Sequence, residues 1–190
     1  MLTITTIIGN IKKDPQLHQK YEESVKKDTV ENVVIQRSET EKVRMRKVSD
    51  KETDIGFILP SRTHLRDGDV VFIDDTKMIV IKLSTELVAI LNIKNHLHNH
   101  HEHKHDHDHE HKHEQANYNE LTNVAIKVGH TIGNLHRPLK IENHDIIFPI
   151  QSPDEIDLFL RLLSDLKDYI EIRSEQLIFE PDQGFDIHAH

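Results

Sequence analysis

The sequence predicts two domains: an all-β domain over residues 1–84, then an α+β domain over 85–180 with the order β-α-β-β-α-β and a histidine-rich insertion. Three observations carry this. Residues 1–92 hold short apolar runs broken by turn signals, residues 94–115 have no apolar face of any period, and residues 117–180 carry two helical stripes with strand-length runs around them. A chain of 190 residues is long enough for two small domains, each with a core.

In the first domain Leu2, Ile4 and Thr6 alternate as an opening strand. Thr29–Arg37 and Val43–Val48 add two more, the second with Val43 and Met45 on one face and Arg44 and Arg46 on the other. Val70–Ile73 and Met78–Ile81 follow, bounded by turns at Asp67-Gly68 and Asp74-Asp75. Such alternation predicts a half-buried antiparallel sheet.

The second domain starts near Ser84, with Leu87–Asn92 as its first strand. The segment 94–115 has only Leu97 to offer a core and predicts a disordered insertion. Leu121, Val124, Ala125, Val128, Ile132 and Leu135 then follow helical spacing, with Gly133-Asn134 as a stop and Pro138 beyond. Leu139–Ile141 and Asp145–Phe148 read as a hairpin. Ser152-Pro153-Asp154-Glu155 reads as a capping box that opens a second helix, with Ile156, Phe159, Leu160, Leu163 and Leu166 as its buried stripe. Tyr169–Ile172 closes the sheet, and 181–190 is expected to be a mobile tail.

Composition narrows the chemistry. With 24 basic and 33 acidic residues the formal net charge is −9, which argues against a nucleic-acid binder. The absence of cysteine removes disulfides, thiolate metal sites and cysteine nucleophiles. The first residues lack a basic region before their apolar positions, and no apolar run approaches membrane-spanning length, so a cytoplasmic protein without membrane association is expected. No phosphate-binding glycine loop and no GxSxG motif is present.

The excess is in histidine: 17 residues, roughly four times an ordinary share. Ten of them fall in one tract: His96, His98, His100, His101, His103, His105, His107, His109, His111 and His113. Imidazole suits Ni²⁺, Zn²⁺, Cu²⁺ and Co²⁺. Alternate spacing puts neighbouring rings on one side of an extended chain, and the five acids between 96 and 114 outweigh two lysines. Binding should collapse as pH falls through about 6.5, where free histidine protonates. The bland alternative is a solvated low-complexity insert with incidental metal affinity. His101–His105 and His109–His113 also match the zinc-protease pattern H-E-x-x-H, but a histidine at every second position forces that match, and no apolar stripe holds a helix there.

His136 stands apart, in Gly133-Asn134-Leu135-His136-Arg137-Pro138, just past a helix end and before a proline-fixed strand. One imidazole cannot hold a transition metal alone. His188 and His190 lie at the C-terminus.

Gly133-Asn134-x-His136-x-Pro138-Leu139 behind an amphipathic helix resembles the UreE family of urease accessory nickel chaperones. Leu59-Pro60, Leu65-Arg66-Asp67-Gly68-Asp69-Val70, Phe179-Glu180-Pro181 and Gly184-Phe185 support the resemblance. It implies a partner-binding N-terminal domain and a ferredoxin-like metal-binding and dimerisation domain. It also implies a homodimer in which His136 of both subunits binds one Ni²⁺, with His188 or His190 supplying further donors. The implied function is delivery of Ni²⁺ to apo-urease in an accessory complex that contains a GTPase, without catalysis by the chain itself. This chain differs from the family in placing its histidine tract inside the second domain rather than in the tail. A general divalent-metal buffer without a delivery partner is the alternative, and a metallohydrolase a distant third.

Overall fold

The computed structural model describes residues 1–94 and 110–182, and over 110–118 the backbone alone. The chain divides into two units, Met1–Thr85 and Glu86–His190.

The first unit holds β1 (Leu2–Ile4), β2 (Gly9–Asn10), α1 (Pro15–Lys26), β3 (Val30–Ile35), β4 (Arg44–Val48), β5 (Asp54–Ile58), β6 (Asp69–Ile73) and β7 (Met78–Leu83), with a short 3-10 turn at Arg37–Glu39. Its strands form two sheets, β1-β5-β4 and β2-β6-β7-β3. Ile4, Ile55 and Phe57 of the first sheet share a core with Val33, Ile35, Ile79 and Ile81 of the second.

Two expectations for this unit are corrected. It is not all-β, because α1 packs on the other face of the larger sheet, where Leu17 joins Ile11, Val30, Val70, Met78 and Val80. Leu17 is the one buried residue of α1, so the helix has no apolar stripe. Its start is fixed instead by Asp14, whose carboxylate accepts from the Gln16 and Leu17 N–H groups at 2.8 and 3.2 Å, and by Pro15 in the first turn. The helix sits so close to Gly9 that a Cβ there would lie 2.5 Å from Leu17 Cδ1. Nor is the pairing wholly antiparallel: β1 runs parallel to β5 and β3 parallel to β7. With both faces of its sheet covered, β7 loses the inside–outside alternation, and Met78, Ile79, Val80 and Ile81 are all fully buried.

The second unit holds β8 (Glu86–Ile93), α2 (Glu110–Asn134), β9 (Lys140–Glu142), β10 (Asp145–Pro149), α3 (Glu155–Leu162) and β11 (Ile170–Leu177), with a 3-10 turn at Ser164–Leu166. The sheet order is β11-β8-β10-β9, antiparallel throughout. Val124, Val128 and Ile132 of α2 and Phe159 of α3 pack with Leu163 and Leu166 on the face bearing Ala89, Leu91 and Phe148. Val88, Ile90 and Ile147 on the opposite face are covered by Phe179.

Three details differ from expectation. The insertion was to be irregular over 94–115, yet α2 begins at Glu110; Glu, Lys, Gln and Ala are strong helix formers, and adding turns to an existing helix costs little. The rest of that expectation, 95–109, lies outside the described residues. Ala125, Leu135 and Leu160 are exposed, so the buried stripes are narrower than the sequence suggested. At α3 the expected capping box is displaced: the Glu155 carboxylate accepts from the Gln151 N–H at 2.6 Å, one residue before Ser152, and the residue next to the helix is Asp154, without a side-chain cap.

Candidate metal centre

His136 is positioned by the way α2 ends. The last turn tightens, with Leu135 N–H donating to Ile132 O at 3.1 Å and His136 N–H to Gly133 O at 3.0 Å. His136 then takes φ +50°, the left-handed conformation in which glycine is at ease and other residues are strained. Gly133, read from the sequence as part of the stop, does not have a positive φ; the left-handed residue is the histidine three positions later. The side chain is exposed. One turn back, the Asn134 amide meets His130 Nε2 at 3.0 Å.

The chain leaving His136 is held firmly. Arg137 donates through Nη1 to Pro149 O at 2.7 Å and through Nη2 to Glu155 Oε2 at 2.5 Å, and its guanidinium lies 5.7 Å from the centroid of the buried Phe159 ring. Burial works to raise the Glu155 pKa, but the Gln151 N–H, the Arg137 guanidinium and the Ser152 N–H together outweigh it and hold the carboxyl below its usual range. Pro138 then restricts Arg137 to extended conformations and leads into β9. Asp182 docks beside this strand: its N–H donates to Leu139 O at 3.0 Å, and its carboxylate accepts from Ile141 N–H at 2.8 Å.

Residues 4–84 match the family description "UreE urease accessory protein, N-terminal domain". Beyond that match, similarity extends into the second unit. A protein named urease accessory protein UreE from Yersinia enterocolitica is 26% identical over 152 residues, covering 79% of this chain and 57% of the relative. Proteins of the same name from Yersinia bercovieri and Natronomonas pharaonis are 27% and 22% identical, over 79% and 82% of this chain. The first unit thus matches the UreE N-terminal description, and the chain is similar to proteins named urease accessory protein UreE. It spans less than two thirds of the length of these curated relatives, at 57%, 58% and 63%.

Of the residues singled out from the sequence, His136 is the one whose side chain is described. His96, His98, His100, His101, His103, His105, His107 and His109 lie outside the described residues, as do His188 and His190. His111 and His113 fall on the first turn of α2, where the backbone alone is described; the second H-E-x-x-H match therefore runs into a helix from Glu110, against the expectation that none forms. Among the described residues no group of three or more histidines, aspartates or glutamates gathers to hold an ion. Any tight site at His136 must therefore draw donors from outside the described residues or from a second copy. Glu110, where the description resumes within the tract, and His136 lie at opposite ends of α2, about 37 Å of helix at 1.5 Å per residue.

Arg137 and Glu155 escaped the sequence reading. Arg137 was one residue of a motif, and Glu155 was read as a helix cap; only the return of β10 beside the end of α2 brings them together. No helix among the described residues is long and apolar enough to cross a membrane.

Proposed function

We propose that this chain is a cytoplasmic metallochaperone that binds Ni²⁺ and donates it to apo-urease, with no catalytic step of its own. The second unit, ferredoxin-like in its strand order, is the metal-binding and dimerisation domain. The first, matching the UreE N-terminal description, binds partners: the urease accessory GTPase and the apo-urease complex. The observation that carries the reading is His136 itself, an exposed imidazole kept in a left-handed conformation that glycine would occupy without strain.

In a two-fold dimer His136 of each subunit contributes one nitrogen to a shared ion. His188 or His190 supplies the rest. Asp182, docked beside Leu139, starts an eight-residue tail whose extended reach of at most about 27 Å covers the short way back to His136. Imidazole donors at a surface exchange their ion, as delivery requires; a closed thiolate cage would not. The tract histidines form a separate collecting station, and Zn²⁺, Cu²⁺ or Co²⁺ bind at either place when offered.

The test is His136→Ala, read by Ni²⁺ calorimetry and by activation of apo-urease in a reconstituted accessory complex. The tight site and activation should both disappear while weaker tract sites remain. A variant that binds and activates as the wild type does would leave a general divalent-metal buffer as the better description.

A further inference from the structure

We infer that Arg137 and Glu155 form a clamp that positions His136 for metal binding, without touching the ion themselves. The inference rests on the reading of His136 as a ligand and extends it to residues outside the GNxH motif.

A left-handed histidine persists only where its surroundings over-determine the backbone. On the N-terminal side His136 is held by the closing turn of α2, through the single bond to Gly133 O. On the C-terminal side the next residue carries the restraint. Arg137 spends its planar fork on two acceptors from different elements, Pro149 O at the end of β10 and Glu155 Oε2 at the start of α3. Glu155 is fixed in turn through its other oxygen, which accepts from Gln151 N–H at 2.6 Å. The arrangement thus joins four segments: the end of α2, the end of β10, the turn at Gln151 and the first residue of α3. Phe159, packed against Phe148 with ring centroids 4.7 Å apart, supplies a rigid floor beneath the guanidinium.

Both partners are largely shielded, at 24% and 17% side-chain exposure, so the pair is not one of the loose surface bridges that contribute little. A shared site on a two-fold axis makes such a restraint matter twice. Any error in the direction of His136 is repeated by symmetry, and both imidazoles must converge on one ion.

The experiment compares five variants, Arg137→Met, Arg137→Lys, Glu155→Gln, the double variant Arg137→Met with Glu155→Gln, and His136→Ala, using Ni²⁺ as the probe. Calorimetry gives tight-site and tract affinities, the ligand-field spectrum of the Ni²⁺-loaded protein gives geometry, and thermal unfolding with chelator gives the folded state. Arg137→Met is expected to weaken the tight site tenfold or more and to shift its spectrum, with tract sites unchanged. Arg137→Lys, which keeps the charge but not the fork, should fall between. Adding Glu155→Gln to Arg137→Met should weaken binding little further, since either change alone breaks the clamp. Should Arg137→Met fold poorly, Arg137→Lys and Glu155→Gln carry the same prediction. Wild-type tight affinity and spectrum in the Arg137 and Glu155 variants, with the site lost in His136→Ala, would overturn the clamp alone. Tight and tract sites falling together, in step with loss of folded protein, would also overturn it by making the pair merely structural. Retention of the tight site in His136→Ala would instead defeat the reading on which the clamp rests.

Discussion

At position 136 glycine would relieve the backbone. A non-glycine residue held at positive φ costs of the order of 1 kcal/mol, a cost that His144 and four other non-glycine residues among those described also bear. His136→Gly is therefore expected to raise the stability of the second unit by about 0.5–1 kcal/mol in metal-free protein, measured by denaturant unfolding, while removing the tight Ni²⁺ site. A variant that is less stable and equally metal-free would mean that the imidazole contributes to packing. The position of this histidine was legible in the sequence from its place after a helix and before Pro138. Its conformation was not, because Gly133 was the more obvious residue to take a left-handed turn, and the helix runs past it. Arg137 was illegible for a different reason: its partners Pro149 and Glu155 are 12 and 18 residues away, and the capping box to which Glu155 was assigned does not point to Arg137.

The turns that join elements carry their own electrostatic ties. In the first unit the 3-10 turn at Arg37–Glu39 is fastened to β4 by Glu39, which meets Lys47 at 2.6 Å and accepts from Gln36 N–H at 3.1 Å. Lys47 first, then the Gln36 N–H and Lys42, hold the Glu39 carboxyl to about 2 against the opposing effect of burial. Because the folded pKa is depressed, this tie stabilises the unit above the ordinary value of 4.5 and is lost as pH falls from there toward 2. Glu39→Gln should cost about 1–2 kcal/mol at neutral pH, with the gap to wild type closing over that acid window in chelator-treated protein. A gap independent of pH would contradict the ion-pair account.

Elements were legible in proportion to how one-sided their environment is. The helix with Val124, Val128 and Ile132 facing one core, and the hairpin beyond it, lie where periodicity put them. β7 was seen as a strand from Met78–Ile81 even though both its faces are buried, but that run could not say that a helix covers one of them. α1 itself has a single buried residue, and its one local signal, Asp14-Pro15, was not read as a helix start. The N-terminal turns of α2 were missed because an apolar stripe was required of them, whereas they extend a helix that is anchored further along.

In the second unit, α2 sets the histidine tract's return point and the His136 turn at opposite ends of one helix, while Asp182 brings the start of the tail beside Leu139, three residues past His136. On the proposed reading, collection by the tract and exchange at His136 are separable. Removing residues 96–109 leaves α2 intact and should lower the total number of ions bound without changing the tight one. The measurement that bears most directly on this is Ni²⁺ stoichiometry at about pH 7.5, above the histidine range, on wild type and on the 96–109 deletion, with the solution mass of each determined in the same sample. The account predicts a dimer with one tight ion per two chains in both proteins, the deletion losing only weak sites. One tight ion per chain in a monomer, or loss of the tight ion with the tract, would contradict it.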